Sequence, residues 1–487
     1  MKPNTNSKTA VVCGLFGSVL SCSSFSENPS EPPLKIPGGP SVETPEDTPD
    51  ERNPYNVLFL MVDDLCDWTG YLGGHSQIRT PNLDSLASVG VRFSNAYTTV
   101  SLSNPSRAAL FTGLLPRTTG IYNNKNDMAT SPVVAAATLM PEHFHNNGYK
   151  TLCAGKVFHT KPEQTKWNSM WDDLSHVDGG YGPAVNKNKG GIVLNPDIVW
   201  TKWQVWDGPD SDFPDVVNAD HVVKFLSQYH SKPFFAAVGM YRPHAPYTVP
   251  RRFYEMYDKQ SVIVPELPAD DLDDVSPYAL TYAYPNFCDA RSQLPQWKAD
   301  GTWKDLVRGY MAAVTFADYN IGRILKALRQ SEYADNTIIV LCGDNGFHHG
   351  EKQRFSKMSL WREANHVPLI ICYPGGHQDC EVEDPVSLLD LYPTLCDLCD
   401  LPAVPGLEGN NITPLVENPD MSWDKPSVSN YLPGNYTVHY KNWNYLRYND
   451  GSAELYDIST DEDELHNLVS DPQHADLIRH LSSFIPE

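Results

Sequence analysis

Asn56-Val57-Leu58-Phe59-Leu60-Met61-Val62 is a run that is apolar from Val57 onward and ends at Asp63-Asp64. Its length and composition predict a strand buried on both faces, as in a parallel sheet. Three further runs share this design and end in polar residues: 149–155 before Lys156 and His159, 233–239 before His244, and 337–343 before Asp344 and Asn345. One such run alone is ordinarily a core strand with a solvated end. Because sites in open α/β sheets lie beyond the carboxyl ends of the strands, we interpret the four ends as one site.

Helical patterns separate the apolar runs. Residues 81–89 and 138–147 carry apolar side chains on one side and end in Gly or Asn-Gly signals. Residues 304–330 keep the helical apolar spacing almost up to the run at 337–343. The sequence has no internal repeat. This alternation predicts an α/β fold in which a mixed, mostly parallel sheet is flanked by helices.

The chain changes character after about residue 420, where short aromatic strands such as 440–448 precede a turn at Asn449-Asp450-Gly451. An acidic run at 461–464 and a helical pattern near 472–484 follow. A hairpin followed by a helix is expected from this order. We therefore predict a catalytic domain at 54–420 and a smaller C-terminal α+β subdomain at 421–487.

The N-terminus is typical of an export segment. Lys2 and Lys8 precede a short apolar stretch, and Val19-Leu20-Ser21-Cys22 is similar to a bacterial lipobox in which Cys22 is lipidated. Residues 1–22 are thus predicted to be a signal peptide of the lipoprotein type, and 23–53 a disordered Pro-rich tether. These features predict a periplasmic or cell-surface lipoprotein of a bacterium, which contacts the membrane only through its lipid anchor.

Composition excludes some partners. A chain of 487 residues with 41% hydrophobic residues can bury a large core, and its net charge of −23 argues against nucleic acid and against a basic polyanion-binding surface. An anionic substrate must therefore meet local positive charge. The aromatic cluster Trp167, Trp171, Trp200, Trp203 and Trp206 either stacks on sugar rings or packs a long insertion, and burial statistics favour packing.

Cysteine usage is a weak signal. Of ten cysteines, Cys13 and Cys22 belong to the export segment and the others are scattered, so at most a disulfide or two is expected. The spacing Cys396-x-x-Cys399 on a helical pattern is only weak evidence for zinc or redox chemistry.

The stretch Ser103-Asn104-Pro105-Ser106-Arg107 begins another predicted helix. Pro105 suits a first helical turn, whose free amides and dipole favour an anion. Arg107, one turn further, can hold a nucleophile or an oxyanion with its planar fork of donors. Taken alone, the motif is more often an ordinary Ser cap on a surface helix.

Together these segments resemble the type I, formylglycine-dependent sulfatases of the alkaline phosphatase superfamily, and are most similar to the iduronate-2-sulfatase branch. The matching stretches, in family order, are 62–64, 80–84, 103–107, 112–113, 118–122, 155–159, 239–246, 344–346, 350–351, 366–369, 454–457 and 467–468. The resemblance runs from about residue 54 to 470. It implies an alkaline-phosphatase-like fold with a small C-terminal subdomain that closes the substrate cleft.

The resemblance also implies the reacting group and its metal. Ser103 matches the residue that is oxidised to formylglycine, whose hydrate takes the sulfuryl group and then releases sulfate as the aldehyde reforms. The ligands of one Ca²⁺ per chain match Asp63, Asp64, Asp344 and Asn345, with Ser103 beside them. Oxygen ligands of this kind suit a hard cation, and without one the acidic groups would repel one another.

Further roles follow from the same resemblance. Arg107 and Lys156 match groups that fix the hydrated aldehyde and the bound oxygens, and His159 matches the base that regenerates the aldehyde. His244 and Lys357 match groups that bind sulfate and assist departure of the alcohol. His244 alone is equally well a core or turn histidine, and Lys352 and Arg354 lie close enough in sequence to compete with Lys357. His348 and His349 are loop or subsite candidates.

Two positions depart from the family pattern. Position 103 is Ser where most members have Cys, which implies maturation by a radical-type sulfatase-maturing enzyme, or a chain that is never activated. Leu114 stands where an Arg often follows Thr-Gly, as in many bacterial members.

The sequence therefore predicts a sulfatase for sulfated oligosaccharides or polysaccharides, acting on 2-O-sulfated, iduronate-like uronic acid of glycosaminoglycan or algal origin. The first alternative is a phosphatase or phosphodiesterase that uses Ser103 directly. The second is a non-catalytic binder of sulfated glycans.

Overall fold

The computed structural model describes residues 54–159, 166–175, 182–183, 203–282 and 289–486, with only the backbone at 166 and 167. These residues belong to one compact unit. The predicted signal peptide, Cys22 and the tether at 23–53 lie outside the described residues, as do Trp200 and the side chain of Trp167. The predicted boundary at residue 420 stays a prediction.

The strands, in chain order, are β1 Asn56–Val62, β2 Val91–Phe93, β3 Ala96–Tyr97, β4 Lys150–Gly155, β5 Asp173–Ser175, β6 Trp203–Trp206, β7 Phe234–Met240, β8 Tyr247–Pro250, β9 Thr337–Gly343, β10 His348–His349, β11 Phe355–Ser356, β12 Leu369–Cys372, β13 Cys380–Val382, β14 Val386–Ser387, β15 Ser427–Asn430, β16 Tyr436–Tyr440, β17 Trp443–Arg447 and β18 Ala453–Asp457.

The α-helices are α1 Pro81–Ala87, α2 Ser103–Thr112, α3 Pro116–Thr119, α4 Pro132–Ala136, α5 Met140–Asn146, α6 Pro214–Leu226, α7 Arg251–Tyr254, α8 Pro277–Tyr282, α9 Leu294–Asp300, α10 Thr302–Arg329, α11 Arg362–Asn365, α12 Leu391–Leu398, α13 Thr413–Glu417 and α14 Ala475–Ser482. Short 3₁₀ helices cover Met128–Thr130, Lys166–Met170, Asp210–Asp212, Lys259–Ser261, Glu351–Gln353, Leu388–Asp390 and Pro472–His474.

The central sheet has eight strands in the order β13-β2-β12-β9-β1-β7-β4-β5. Its inner strands β9, β1, β7 and β4 are the four apolar runs of the sequence, and each is parallel to its neighbours among them. Only β12 runs antiparallel to the strands on either side of it. The predicted α/β class and mostly parallel sheet are therefore confirmed, and the four strand ends lie along one edge.

Hydrophobic layers cover both faces of this sheet. Along β1, Leu58, Leu60 and Val62 face the layer that contains the long helix α10 and helix α6. The alternate residues Val57, Phe59 and Met61 face the layer of α2, α5 and α12. Successive strand side chains point to opposite faces, so a strand between two layers must be apolar throughout. This is why the run lacks polar residues until Asp63.

The C-terminal part forms a separate antiparallel sheet, β15-β16-β17-β18, against which α14 packs. The predicted strand 440–448 is confirmed over Trp443–Arg447, which is β17, but its start is wrong, because Tyr440 ends β16 and a two-residue turn separates the two strands. Lys441 has a φ of 53°, which is left-handed backbone. The sequence pattern did not indicate this turn, because the aromatic residues around it are typical of a strand. The turn at 449–451 is confirmed, and the C-terminal helix near 472–484 is α14 with a preceding 3₁₀ turn.

The C-terminal sheet is attached close to the residue that precedes α2. Asn430, the last residue of β15, forms a bridge with Val100, and its amide donates to the carbonyl of Thr99 at 2.9 Å. The segment after β15 is thereby fixed beside Ser103.

Over the described ranges, none of the helices combines the length and apolarity that crossing a bilayer requires.

Cysteines and tryptophans take structural positions. The described cysteines form no disulfide with one another, and Cys396 and Cys399 are buried at the end of α12 among apolar neighbours. Trp171 and Trp203 are likewise buried in the core layers, as the packing interpretation predicts.

Candidate active site

Polar residues from four neighbouring strands meet at the carboxyl edge of the sheet. Asp63 and Asp64 directly follow β1, Asp344 and Asn345 follow β9, and Lys156 follows β4. His244 lies in the loop after β7, with its ring Nε2 3.8 Å from Oδ2 of Asp64. The parallel order of β9, β1, β7 and β4 brings these chain segments together.

Three carboxylates form a tight buried group. Oxygens of Asp63, Asp64 and Asp344 lie within 4.8 Å of one another. The amide N–H of Asp64 donates to Oδ1 of Asp344 at 3.0 Å, and Nδ2 of Asn345 donates to Oδ1 of Asp64 at 3.0 Å. Asp64 has a φ of 60°, which costs backbone energy for a residue other than glycine. Strain of this kind persists where the surroundings fix a functional geometry.

This donor set can hold a metal ion. With Oδ1 of Asn345 and Oγ of Ser103 beside the carboxylates, the facing atoms are all oxygens. Calcium prefers carboxylate and amide oxygens, whereas zinc and the softer metals take nitrogen or sulfur. The residues present therefore fit a calcium ion. Elsewhere in the described ranges, no other comparable group of His, Cys, Asp and Glu is found.

Ser103 is the first residue of α2 and is buried beside the carboxylates. Its Oγ lies 3.3 Å from Oδ1 of Asp63 and 3.1 Å from Oδ1 of Asn345, and it accepts a hydrogen bond of 2.7 Å from Nζ of Lys357. A surface cap would be solvated, so the ordinary Ser-cap interpretation is wrong for this residue.

The first turn of α2 offers fewer amides to an anion than the sequence suggested. Asn104 donates its amide to Oδ1 of Asn124 at 3.1 Å, Ser106 donates to the carbonyl of Leu102 at 3.0 Å, and Pro105 has no N–H. The positive charge near Ser103 therefore comes mainly from side chains.

Arg107 does not reach Ser103, contrary to the simplest interpretation of the motif. Its Nε donates to Oδ2 of Asp344 at 2.8 Å, its Nη2 lies 3.2 Å from Oδ1 of Asp63, and its Nη1 donates to the carbonyls of Lys156 and Val157. The guanidinium is completely buried. It thus orients two carboxylates and ties the end of β4 to them.

Lys156 and His159 lie on the β4 side of the site. The ammonium of Lys156 pairs with Oδ2 of Asp63. Burial and the charge of Arg107 lower the pKa of Lys156, although Asp63 opposes them. Although the His159 side chain is exposed at one side, partial loss of solvent around its ring and the Lys156 charge lower its pKa to about 4, so the imidazole is neutral at physiological pH. Burial would raise the pKa of Asp63, but Lys156 and His244 outweigh it and hold the pKa below its usual value.

His244 is oriented by the backbone. Its Nδ1 lies 2.6 Å from the carbonyl oxygen of Ala245, which can only accept, so Nδ1 carries a proton and Nε2 faces Asp64. Burial lowers the pKa of His244, with Asp64 and Asp63 opposing.

The structure distinguishes Lys357 from its sequence neighbours. Lys357 pairs with Oδ1 of Asp64 and contacts Ser103, whereas Nζ of Lys352 lies 2.8 Å from Oδ1 of Asp271, away from the site. Arg354 donates to the carbonyl of Lys357 at 2.8 Å and so supports its loop. Burial lowers the pKa of Lys357, but Asp64 and Asp63 outweigh it and raise the pKa overall.

His348 and His349, the loop or subsite candidates, are both fully buried. Nε2 of His348 lies 2.8 Å from Oγ of Ser359, and the ring of His349 packs on Trp68 and Tyr310. Both side chains are therefore part of the core and do not line the cavity.

A cavity of about 520 Å³ lies beside Asp64, one member of this group. Besides Asp64, His244 and Lys357, its lining includes residues that sequence reasoning did not assign: Leu102, Asn123, Asn124, Lys125, Phe347, Met358 and Tyr431. The Asn-rich stretch after Tyr122 was a possible signal, since it adjoins a matching motif. Tyr431 had none, because only the attachment of β15 brings it here.

Comparisons with known proteins agree on one family. A family model described as Sulfatase matches residues 55–401, and one described as N-sulphoglucosamine sulphohydrolase, C-terminal, matches residues 350–487. The chain is 32% identical to a protein named Sulfatase from Formosa agariphila, over 89% of this chain and 86% of the relative. It is 27% identical to the iduronate 2-sulfatase of Mus musculus, over 88% of this chain and 93% of the relative.

A comparison with solved structures finds a similar fold. The crystal structure of a phosphonate monoester hydrolase from Agrobacterium radiobacter superposes with a TM-score of 0.72, covering 88% of this chain and 94% of that one. At 21% identity, this likeness concerns the fold alone.

Proposed function

The chain belongs to the sulfatase family and is a sulfuric ester hydrolase, and from that premise we propose that it removes sulfate from a sulfated carbohydrate. Within this class, the substrate we propose carries a 2-O-sulfated, iduronate-like uronic acid. The support is the likeness to iduronate 2-sulfatase, which extends over 88% of the chain. Function remains a property of the site rather than of the fold, so the proposal depends on the residues around Ser103.

One observation carries the proposal: Oγ of Ser103 lies 2.7 Å from Nζ of Lys357, which lines the cavity, and 3.3 Å from Oδ1 of Asp63. We propose that Ser103 is oxidised to formylglycine by a maturing enzyme. The hydrated aldehyde would supply the attacking hydroxyl and a route for sulfate to leave.

Asp63, Asp64, Asp344 and Asn345 would hold a calcium ion beside residue 103. The cation would polarise the nucleophile and the bound sulfate. The residues that surround the ligands already balance their charge, since Arg107 pairs with Asp63 and Asp344, Lys156 with Asp63 and Lys357 with Asp64. A substrate anion therefore enters a site whose positive charge is fixed in advance.

The proposed roles of the other residues follow their positions. Lys357 holds a sulfate oxygen and the charge that develops on the leaving oxygen, because its ammonium already contacts Ser103. His244 lines the cavity, with Nδ1 fixed by a carbonyl and Nε2 facing Asp64. When Nε2 has also taken up a proton, this imidazolium can pass that proton to the departing alcohol. Neutral His159 is suited to accept the proton that regenerates the aldehyde. Arg107 and Lys156 orient Asp63 and Asp344.

The phosphatase alternative receives less support. Enzymes that hydrolyse phosphate esters on this kind of scaffold usually need two metals, and the described residues contain a single group of suitable acids. For the glycan-binding alternative, the decisive observation is whether residue 103 is oxidised or remains serine.

Export with lipidation of Cys22 remains part of the proposal, and a Cys22→Ala variant that still incorporates labelled lipid would contradict it.

The test measures sulfate release and the mass of the peptide that contains residue 103. The chain is produced in a host that has the radical-type maturing enzyme, the peptide containing residue 103 is weighed, and sulfate release from a 2-O-sulfated uronate disaccharide is measured. We expect a peptide two hydrogens lighter than serine predicts, and sulfate release that Ser103→Ala abolishes without lowering the melting temperature. Unmodified serine with turnover of an aryl phosphate would establish the phosphatase, and unmodified serine with binding alone would establish the binder.

A further inference from the structure

Building on the proposed function, we propose that Lys125 binds a second anionic group of the substrate, apart from the sulfate that is cleaved. The group is a carboxylate or a further sulfate on the same oligosaccharide. Lys125 would thus determine which sulfate esters the enzyme prefers.

Lys125 is placed for this role at the cavity that is also lined by Lys357, the residue whose ammonium contacts Ser103. It lines the cavity together with Lys357 and His244, but Lys357 is paired with Asp64 and the His244 ring also faces Asp64. The Lys125 side chain is exposed, and across the described part of the chain its ammonium forms no ion pair. An ammonium that borders a cavity and has no acidic partner there is available to an anionic ligand.

The loop that carries Lys125 is fixed to the residue after Ser103. The side-chain amide of Asn104 donates to the carbonyls of Asn123 at 3.0 Å and Asn126 at 2.6 Å. In return, Oδ1 of Asn124 accepts the Asn104 amide at 3.1 Å. Inside the loop, Oδ1 of Asn123 accepts the amide of Lys125 at 2.8 Å. Because four hydrogen bonds fix this backbone, Lys125 keeps a defined position relative to the reacting residue.

The remaining lining suits a sugar ring between the two anion positions. Leu102, Phe347 and Met358 offer apolar surface, and Tyr431 from the segment after β15 adds an aromatic face. Carbon faces of sugars pack on such surfaces. A cavity of about 520 Å³ has the size of a site for a small molecule of one or two rings.

Because the protein as a whole is acidic, binding a second anionic group requires a cation close to that group. The chain has a net charge of −23, so a substrate with two anionic groups is repelled at long range. The cations around Ser103 are paired with carboxylates, which leaves Lys125 to compensate the second anion. An interaction of this exposed kind is moderate and sensitive to salt.

The test compares three substrates in the mature enzyme: a 2-O-sulfated uronate disaccharide, the same disaccharide with its carboxylate reduced to an alcohol, and a form with one additional sulfate. Lys125→Gln should lower kcat/KM for the anion that Lys125 binds by about fivefold, and Lys125→Glu should lower it further. Added salt should diminish the difference. Lys224→Gln, at an exposed position of α6, is the matched control and should leave all three values unchanged.

The pattern identifies the bound group. If it is the carboxylate, the penalty of Lys125→Gln disappears with the reduced substrate; if it is a second sulfate, the penalty appears only with the additionally sulfated one. An equal effect of Lys125→Gln on all three substrates, or no effect on any, would overturn the inference. Absence of sulfate release by the wild-type enzyme would instead overturn the proposed function, so the two failures are distinguishable.

Discussion

The Nζ atom of Lys357 lies 2.7 Å from Oγ of Ser103, and the lysine side chain is almost completely buried. The same ammonium pairs with Oδ1 of Asp64 and lies 3.3 Å from Oδ1 of Asn345. A buried charge that spans the nucleophile position and the carboxylates can stabilise negative charge on a reacting oxygen without reorganisation.

Replacing Lys357 by Met keeps the volume and removes the charge. We expect kcat for sulfate release to fall by about a hundredfold or more, the usual effect of removing one preorganised donor. Initial rates at saturating substrate measure this effect, with Lys224→Met on the exposed face of α6 as control. Near-normal kcat in Lys357→Met would show that the residue only packs against the site.

Calcium should stabilise the fold through Asp63, Asp64 and Asp344. A ligand that binds only the folded state adds about 2.7 kcal/mol at a hundredfold excess over its Kd. We therefore expect a chelator to abolish activity and lower the melting temperature, and added calcium to restore both. Asp344→Asn should weaken the calcium-dependent rise in melting temperature, while Asp335→Asn, at an exposed position, should retain it. A melting temperature that does not change when calcium is added would contradict the assigned ligands.

Arg107→Lys keeps the charge but loses the planar fork. Lysine cannot bond Asp63, Asp344 and the two carbonyls at the end of β4 simultaneously, so buried acceptors remain without donors. We expect a loss of about 2 kcal/mol in the free energy of unfolding, together with weaker calcium binding. Urea denaturation and calcium titration measure these quantities.

The matched control for Arg107→Lys is Arg479→Lys, whose partner Asp476 is exposed on α14. It should change neither stability nor calcium affinity. If Arg107→Lys loses stability but keeps its calcium affinity, the residue supports the fold without orienting the ligands.

The sequence predicted the central strands and their polar ends well because their physics is local. A strand between two apolar layers must be mostly apolar, so β1, β4, β7 and β9 are visible as apolar runs. Parallel pairing places the polar residues after each strand at one edge. Asp63 and Asp344 could therefore be grouped before any coordinates. The resemblance to a family then supplied roles that spacing alone does not contain.

Other features depended on long-range contacts. The choice among Lys352, Arg354 and Lys357 needed the loop conformation, in which Lys352 turns toward Asp271. Tyr431 reaches the cavity only because Asn430 bridges to Val100. The amide of Asn104, expected to be free at the start of α2, is bonded to Oδ1 of Asn124. Partners more than ten residues away in sequence leave no periodic signal.

The buried carboxyl of Glu464 should make stability depend on pH. Burial raises its pKa from 4.5 to about 7, although the amide of Arg362, the side chain of Asn444 and the Lys352 charge oppose the rise. Between those values the unfolded chain has released the proton while the folded one retains it, so stability falls as pH rises through this window and levels above it. Glu464→Gln should flatten this part of the profile, as seen in urea midpoints at about pH 5 and about pH 8. An unchanged slope would assign the pH dependence to other groups.

Asn104→Ala should test how the loop at 123–126 is held. The substitution removes two hydrogen bonds from the Asn104 side chain to the loop backbone but leaves Ser103 and its contacts in place. With the loop loosened, Lys125 loses its fixed position, so KM for an anionic disaccharide should rise about fivefold while kcat changes less. Steady-state kinetics separate the two constants, and Asn418→Ala at an exposed position is the control. A fall in kcat with unchanged KM would mean instead that Asn104 positions the reacting residue, and that the loop is held by other contacts.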